Sequence, residues 1–222
     1  MARIINPKGT IDKILTVSEK LFLENGFEKT STQNIMDVTG ISKGTIFHHF
    51  RSKEEILAAV MSRQFDKAER RIRGWLAEMG SLTAKEKITA LFDRTFGNDS
   101  TSAIVLLAIE FQSPHMIVAN LQDCVGRTAP IIAGLIREGA QDGSIITDFP
   151  DECAQVFLML YNVWCDPVTL KCDTETLRRR MTFVQYTMKL WGVDVVSDEF
   201  IAKYLKFAER LCSGGTTNEN NG

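Results

Sequence analysis

The chain has 222 residues, of which 44% are hydrophobic and 24% are charged, proportions typical of a soluble globular protein of one or two domains. No apolar run approaches the roughly 18 residues that a membrane-spanning helix needs. Residues 1–7 contain no apolar stretch long enough for a signal peptide, so we expect a cytoplasmic protein. The net charge of −2 argues against a chain that binds nucleic acid over its whole surface.

The charge is unevenly distributed along the chain. Residues 1–53 contain eight Lys and Arg against five Asp and Glu, a net charge of +3, and the remainder carries a net charge of −5. A modestly basic N-terminal segment followed by an acidic remainder is compatible with a DNA-binding domain attached to a second domain.

The five cysteines are odd in number, scattered and never spaced as Cys-x-x-Cys, so the sequence indicates neither a disulfide framework nor a zinc site. We expect free thiols in a reducing compartment, with no metal and no cofactor. The alternative is a redox switch that uses Cys165 and Cys172.

Helical periodicity runs through nearly the whole sequence without sustained strand-like alternation, which predicts an all-α fold. The first helix is expected between an N-cap at Thr10 and an end at Gly26. Its apolar face comprises Ile11, Ile14, Leu15, Ser18, Leu21 and Phe22. Further helices are predicted over 32–39, 43–50, 53–79, 83–97, 102–112, 117–142, 151–166, 174–191 and 198–212. The polar segment 213–222 is expected to be disordered.

Two of these helices are short and meet at Gly40, which tolerates the positive φ of a tight reversal. Ser42 can cap the second. The residues expected to pack the pair against the first helix are Ile35, Val38, Ile41, Ile46 and Phe50. Those left on the outer side are Lys43, Gly44, Thr45, Phe47, His48 and His49. A recognition helix enters the major groove by this N-terminal half, and Gly44 would permit close approach to DNA. An ordinary helical bundle is the alternative.

The run from Thr32 to Leu57, TQNIMDVTGISKGTIFHHFRSKEEIL, resembles the DNA-binding signature of the TetR family of transcriptional regulators. The preceding LFLENGF, residues 21–27, is similar to the end of that family's first helix. The similarity covers about residues 10–60, and beyond it only length and helical content are alike. The resemblance implies a three-helix DNA-binding domain with a helix-turn-helix, residues 1–53, and a larger helical ligand-binding and dimerisation domain, residues 54–212.

The resemblance also implies how individual residues contact double-stranded DNA. Thr32 would bond a phosphate, and Gln33 would reach a base edge. Lys43 would contact a guanine edge or a phosphate, and Thr45 a phosphate or a thymine methyl group. The remaining members of the implied interface are Ser42, Gly44, Phe47, His48, His49 and Lys53, the last pairing with a phosphate.

Some positions depart from the family pattern. Family members usually carry Tyr where Phe47 stands, so a hydroxyl bond to phosphate is missing. Small residues are usual where Met36 and Thr39 stand, so the spacing of the two short helices can differ. His48 and His49 are neighbours on a helix and point about 100° apart, which disfavours a shared metal ion.

The second domain offers two helices for dimerisation. Helix 151–166 is apolar almost all round and must be covered on every side. Helix 174–191 carries a stripe of Leu177, Met181, Val184, Met188 and Trp191. We expect these helices and their copies in a second chain to form a four-helix homodimer interface. A core within one chain is the alternative.

The second domain is also expected to bind a small apolar or amphipathic effector that releases the DNA. Aromatic and Met side chains would line the cavity, and a few polar groups would orient the ligand. The candidates are Phe92, Phe96, Glu110, Phe111, His115, Met116, Met159, Asn162 and Trp164. Core packing is the alternative for each aromatic residue.

The resemblance, together with these patterns, implies a repressor that binds a palindromic operator as a dimer. An enzyme is an alternative class, but the sequence contains no Gly-x-Ser-x-Gly, phosphate-binding Gly loop or His-Glu-x-x-His motif. An architectural DNA-binding protein on the same fold is a second alternative, and it would occupy many sites instead of a few palindromes.

Overall fold

The computed structural model describes residues 7–96 and 114–214, and within these ranges it contains helices and turns but no strand. The predicted all-α fold is confirmed. Among the described residues, one compact unit comprises 7–68 and a second comprises 69–96 with 114–214. The domain boundary at residue 53 stays a prediction.

The first unit is built from three helices and the beginning of a fourth. They are α1 (Pro7–Asn25), α2 (Thr32–Thr39), α3 (Lys43–His49) and α4 (Lys53–Glu78), which continues into the second unit. The predicted bounds of α2 are confirmed. Helix α1 begins at Pro7, so the predicted N-cap at Thr10 is wrong.

The core of the first unit is formed by apolar side chains from all four helices. Those no more than 1% exposed are Ile14, Phe22, Ile35, Ile46, Ile56 and Val60. Val38 was expected among them, but its side chain is 58% exposed. The inward positions of α2 are instead taken by Ile35 and Thr39, and Thr39 satisfies its hydroxyl by donating to the Ile35 carbonyl at 2.6 Å.

An ion-pair network ties α4 to α1. The Arg63 guanidinium contacts Glu19 Oε2 at 2.6 Å and Asp12 Oδ1 at 3.1 Å. Lys67 Nζ lies 3.7 Å from the same Glu19 oxygen. Because the side chains of Arg63 and Glu19 are each only 17% exposed, their attraction is less screened than that of surface pairs.

The second unit contains the rest of α4 and further helices. They are α5 (Ala84–Phe96), α6 (Pro114–Asp123), α7 (Ala129–Asp142), α8 (Pro150–Met159), α9 (Thr174–Leu190) and α10 (Asp198–Gly214). π-helical turns join α6 to α7 over Cys124–Thr128 and extend α8 over Leu160–Trp164. The predicted helix 102–112 lies outside the described residues, as does most of the predicted tail.

Helix α9 packs its apolar stripe inward. Leu177, Met181, Val184 and Met188 are each at most 2% exposed and belong to the core of this chain. This stripe is therefore used by the core within one chain, and the expected homodimer interface through helices 151–166 and 174–191 stays a prediction. Trp191, expected on the same stripe, follows the last residue of α9 and is 40% exposed.

The cysteines are free thiols, with Cys124, Cys153 and Cys165 buried, Cys172 half-buried and Cys212 exposed. Burial raises the pKa of the Cys124 and Cys165 thiols to about 12. Within 7–96 and 114–214, no cluster of His, Cys, Asp and Glu is suited to a metal ion. None of the helices in these ranges is long and apolar enough to cross a membrane.

Candidate nucleic-acid interface

The start of α2 is fixed by a reciprocal cap. The Asn34 N–H donates to Ser31 Oγ at 3.1 Å, and the Ser31 N–H donates to Asn34 Oδ1 at 2.8 Å. Two N–H groups that the helix itself leaves unpaired are thereby satisfied. Thr32 and Gln33 are the first two residues of α2. The side-chain amide of the exposed Gln33 donates to Asp37 Oδ1 at 2.7 Å.

The turn between α2 and α3 depends on Gly40. Its φ of +66° lies in the left-handed region, and its N–H donates to the Met36 carbonyl at 2.8 Å to close α2. A side chain here would be strained, which explains glycine at this position. The next residue, Ile41, is also fixed in position, because its N–H donates to Thr39 Oγ1 at 3.2 Å.

Helix α3 begins with a capped, exposed first turn. Ser42 Oγ accepts from the Thr45 N–H at 3.3 Å and lies 2.9 Å from Thr45 Oγ1. Lys43 and Gly44 are exposed, whereas Ile46 on the opposite side is 1% exposed and anchors the helix. The predicted arrangement of α3, apolar side inward and N-terminal side outward, is confirmed.

The outer side of α3 combines a cation, open space and an aromatic ring. Lys43 Nζ lies 5.8 Å from the centroid of the Phe47 ring, which is 41% exposed. A Cβ added to Gly44 would meet no atom within 4 Å, so this turn offers its backbone to an approaching ligand. His48 and His49 follow, with ring centroids 5.1 Å apart in an edge-to-face arrangement.

The side chain of Lys53, at the start of α4, contacts Phe27 and is also partly exposed to solvent. Its Nζ donates to the Phe27 carbonyl at 2.8 Å and lies 4.0 Å from the centroid of the Phe27 ring. The ammonium group has three hydrogens, so two remain for a phosphate. This contact between residues 26 positions apart has no signature in the local sequence pattern.

The nine residues expected to line an effector site stay a prediction, and the structure describes the side chains of four of them, Phe92, Met159, Asn162 and Trp164. The Phe92 ring packs against Phe157 and Phe200, with centroid distances of 5.4 and 4.8 Å. Asn162 donates to the Leu158 carbonyl at 2.9 Å. Met159 is 37% exposed, so it lies on the outside of α8.

Trp164 is the last of the effector-site candidates with a described side chain. The Trp164 ring lies 5.7 Å from the Phe183 ring and 5.7 Å from the Arg180 guanidinium carbon. Glu110 and Phe111 lie outside the described residues. Phe96 is the last residue of α5, and His115 and Met116 lie in the first turn of α6.

Comparison with known proteins gives a consistent result. Residues 14–60 match the family described as bacterial regulatory proteins, tetR family. The regulator UidR of Escherichia coli K12 is 27% identical over 179 residues, which cover 79% of this chain and 88% of UidR. The repressor KstR2 of Rhodococcus jostii is 27% identical over 154 residues, covering 68% and 74% of the two chains.

The fold is also shared with solved structures. The structure of RolR in complex with its ligand resorcinol superimposes with a TM-score of 0.62 at 16% identity, covering 94% of this chain and 97% of RolR. At that identity the likeness concerns the fold alone. The segment 14–60, which contains the helix-turn-helix, therefore matches the tetR family of bacterial regulatory proteins, and the transcriptional regulator UidR is similar to most of the chain.

Proposed function

We propose that this DNA-binding transcriptional regulator is a repressor that binds a palindromic operator as a homodimer and is released by a small effector. The observation that carries the DNA-binding part is the geometry of α3, whose first turn is capped by Ser42, anchored by Ile46 and exposed at Lys43 and Gly44. A helix presented in this way can insert its N-terminal half into the major groove.

In this proposal, contacts to phosphates position the module and contacts to base edges select the sequence. Lys43 and Gln33 read base edges, because both are exposed in the first turn of their helices. Gln33 would have to exchange its bond with Asp37 for one to a base. Thr32, Thr45 and Lys53 bind phosphates.

The rest of the interface lies around α3. Phe47, His48 and His49 run along the DNA backbone. Ser42 holds the first turn of α3 in place through its bond to the Thr45 N–H. Gly44 lets the backbone of that turn approach the DNA, since among the described residues no side chain lies within 4 Å of where its Cβ would be.

The homodimer is proposed to form through a second stripe on α9, opposite the buried one. Phe183, Tyr186 and Leu190 are 54%, 62% and 67% exposed, and Arg179 precedes them at the same helical spacing. Exposed large apolar side chains in one row are characteristic of protein interfaces. Trp164, whose ring lies 5.7 Å from that of Phe183, and the exposed Met159 of α8 would join it.

A dimer also satisfies the demands of DNA recognition. One α3 helix of seven residues, Lys43–His49, contacts too few bases for useful specificity. Two copies related by a two-fold axis read two half-sites about 34–36 Å apart, or a multiple of that, on a palindrome.

Release by an effector is the third part of the proposal. Helix α4 contributes to both units, so a ligand that prefers one arrangement of α4 would change the affinity for DNA. A coupling free energy of about 1–3 kcal/mol suffices for a 5–150-fold change. The aromatic residues around Phe92 suit a small apolar or amphipathic ligand, and RolR is a relative in fold whose ligand is resorcinol.

Selection of bound DNA from a random pool tests the proposal. We expect enrichment of a palindrome with two half-sites one helical turn apart or a multiple of that. Enrichment of a single half-site would contradict dimeric binding. Binding to all sequences alike would favour an architectural protein, and no binding at low salt would overturn the proposal.

A further inference from the structure

A groove with acidic and aromatic walls lies at one end of α8 and α9. It encloses about 650 Å³ between the loop 143–149, the start of α8 and the end of α9. Its lining includes Asp148 from the loop and Glu152 from the start of α8, together with Leu190 and Trp191 at the end of α9. We call it the α8–α9 groove.

The groove is preformed by a backbone contact between two loops. The Ile146 N–H donates to the Gly192 carbonyl at 3.1 Å, and Gly192 has a φ of +78°. A Cβ at Gly192 would lie 1.6 Å from the Ile146 carbonyl oxygen, so only glycine permits this approach. The wall of the groove is therefore held in place without a ligand.

The groove carries net negative charge. Asp148 and Glu152 contribute two carboxylates against one ammonium group, that of Lys189. Lys189 also lies close enough to Asp194 to help lower the pKa of that carboxyl, after the larger effect of Lys85. Among the described residues, neither Asp148 nor Glu152 takes part in an ion pair.

The opposite end of α9 carries three consecutive arginines with different surroundings. Arg180 donates to the Trp164 carbonyl at 2.7 Å and to the Leu170 carbonyl at 3.2 Å. Arg178 lies 3.9 Å from Glu175. Arg179 is exposed, and within the part of the chain that the structure describes it forms no ion pair.

Arg179 and the groove lie at opposite ends of the same exposed stripe. Positions 179, 183, 186 and 190 are spaced by four, three and four residues, so they share one side of α9. Arg179 and Leu190 are separated by 11 residues, or about 16 Å along the helix axis. If two copies of α9 cross antiparallel between Phe183 and Tyr186, position 179 of each lies opposite position 190 of the other.

We propose that the α8–α9 groove is the docking site for Arg179 of the partner subunit, which pairs there with Asp148 and Glu152. The proposal rests on the homodimer proposed above and adds the contact that sets its register. A two-fold axis forms the contact twice, once in each groove. Parallel packing of the stripes would place the two copies of Arg179 side by side, so the same charges disfavour it.

Charge reversal in two separate chains tests the proposal. One variant is Arg179→Glu, and the other combines Asp148→Lys with Glu152→Lys. Each homodimer then places like charges in both grooves, and we expect its dissociation constant to rise at least about 10-fold. A heterodimer of the two variants restores opposite charges in both grooves, so an equimolar mixture should dimerise nearly as tightly as the unaltered protein.

Sedimentation equilibrium on the full chain, with circular dichroism to verify folding, measures these effects. Arg178→Glu is the matched control, and its dissociation constant should change no more than about 2-fold because exposed ion pairs contribute little. The proposal is overturned if Arg179→Glu behaves like this control, or if mixing fails to restore association. A monomeric unaltered protein would instead refute the homodimer itself.

Discussion

Lys53 Nζ lies 4.0 Å from the centroid of the Phe27 ring and donates a hydrogen bond of 2.8 Å to the carbonyl of the same residue. Phe27 is itself buried and packs edge-on against Phe22 of α1, with ring centroids 5.3 Å apart. One side chain thus joins the start of α4 to the loop after α1. Lys53 is at once a structural residue and a proposed phosphate ligand.

Lys53→Met should therefore change both stability and DNA binding. Loss of the cation–π contact and the hydrogen bond should lower the free energy of unfolding by about 1 kcal/mol. Affinity should fall alike for all DNA sequences, and the slope of log affinity against log salt should decrease by about 1 for each half-site, or about 2 for the dimer on a palindrome. Lys20→Met, at an exposed position on α1, is the control for charge alone. Unchanged stability in urea unfolding would contradict the structural role.

Lys43→Ala should act on sequence selection. Lys43 is exposed in the first turn of α3, and its contact with Phe47 at 5.8 Å leaves the ammonium free to reach DNA. If Lys43 reads a base edge, its removal costs about 1–3 kcal/mol for each half-site of the preferred operator and relaxes specificity at one position of each half-site. Competition binding with single-base operator variants measures this. An equal loss of affinity for all operator variants would indicate that Lys43 binds a phosphate instead of a base edge.

Two glycines in the helix-turn-helix should respond to alanine in opposite ways. Gly40→Ala forces a side chain into a backbone with φ of +66°, which should destabilise the protein by about 1–2 kcal/mol. Gly44→Ala, in a helical position with open space, should stabilise the free protein by about 0.5 kcal/mol. Its methyl group should nevertheless weaken DNA binding if the backbone of this turn approaches the DNA.

Urea unfolding and operator titration of both glycine variants separate the two effects. Normal operator affinity for Gly44→Ala would show that DNA does not approach this turn. Equal stability of the two variants would show that the turn tolerates a side chain at Gly40.

The sequence was sufficient to predict most helices and the exposed side of α3. Those features follow from local periodicity and from capping residues such as Ser42. Val38 is exposed although its three-residue spacing from Ile35 predicts burial on the same side of α2. Only the position of α1 against α2 decides which of these side chains is buried. The Lys53–Phe27 contact and the π-helical turn at Leu160–Trp164 depend on tertiary packing, which a local pattern does not encode.

Helix α9 shows why an interface is harder to predict than a helix. It carries two apolar stripes, one containing Met181 and Val184 and the other Phe183 and Tyr186. Each has helical spacing, so the sequence alone does not reveal which one the chain buries itself. The structure buries the Met181 stripe and leaves the Phe183 stripe exposed, which moves the proposed interface to the opposite side of the same helix.

The cysteines should differ sharply in reactivity. The thiolate is the nucleophile, and burial raises the pKa of the Cys165 thiol to about 12, so at pH 8 only about one molecule in 10⁴ carries a Cys165 thiolate. Cys165 is also 0% exposed. In the folded protein a thiol reagent should modify Cys212 and Cys172, and the three buried cysteines only after unfolding.

Timed labelling with mass spectrometry checks this order. The folded-state reaction of Cys165 should stay slow as the pH rises from 7 to 10, because its pKa lies above that range. Replacing Cys165 and Cys172 with Ser should leave operator binding under peroxide unchanged. If peroxide releases the unaltered protein from the operator but does not release this variant, the result would support the redox switch.

Tyr186→Glu should separate the chains without unfolding them. Tyr186 is 62% exposed in one chain, so the substitution leaves the core intact, whereas a carboxylate in the proposed interface loses its hydration. We expect the dissociation constant of the dimer to rise at least about 100-fold, equivalent to about 2.7 kcal/mol. Thr182→Glu is the matched control, since Thr182 is also exposed to solvent on α9 but lies off the stripe. Sedimentation should show a monomer only for Tyr186→Glu, and that variant should bind a single half-site as well as the palindrome. A dimer that tolerates Tyr186→Glu as well as it tolerates Thr182→Glu would place the interface elsewhere on the chain.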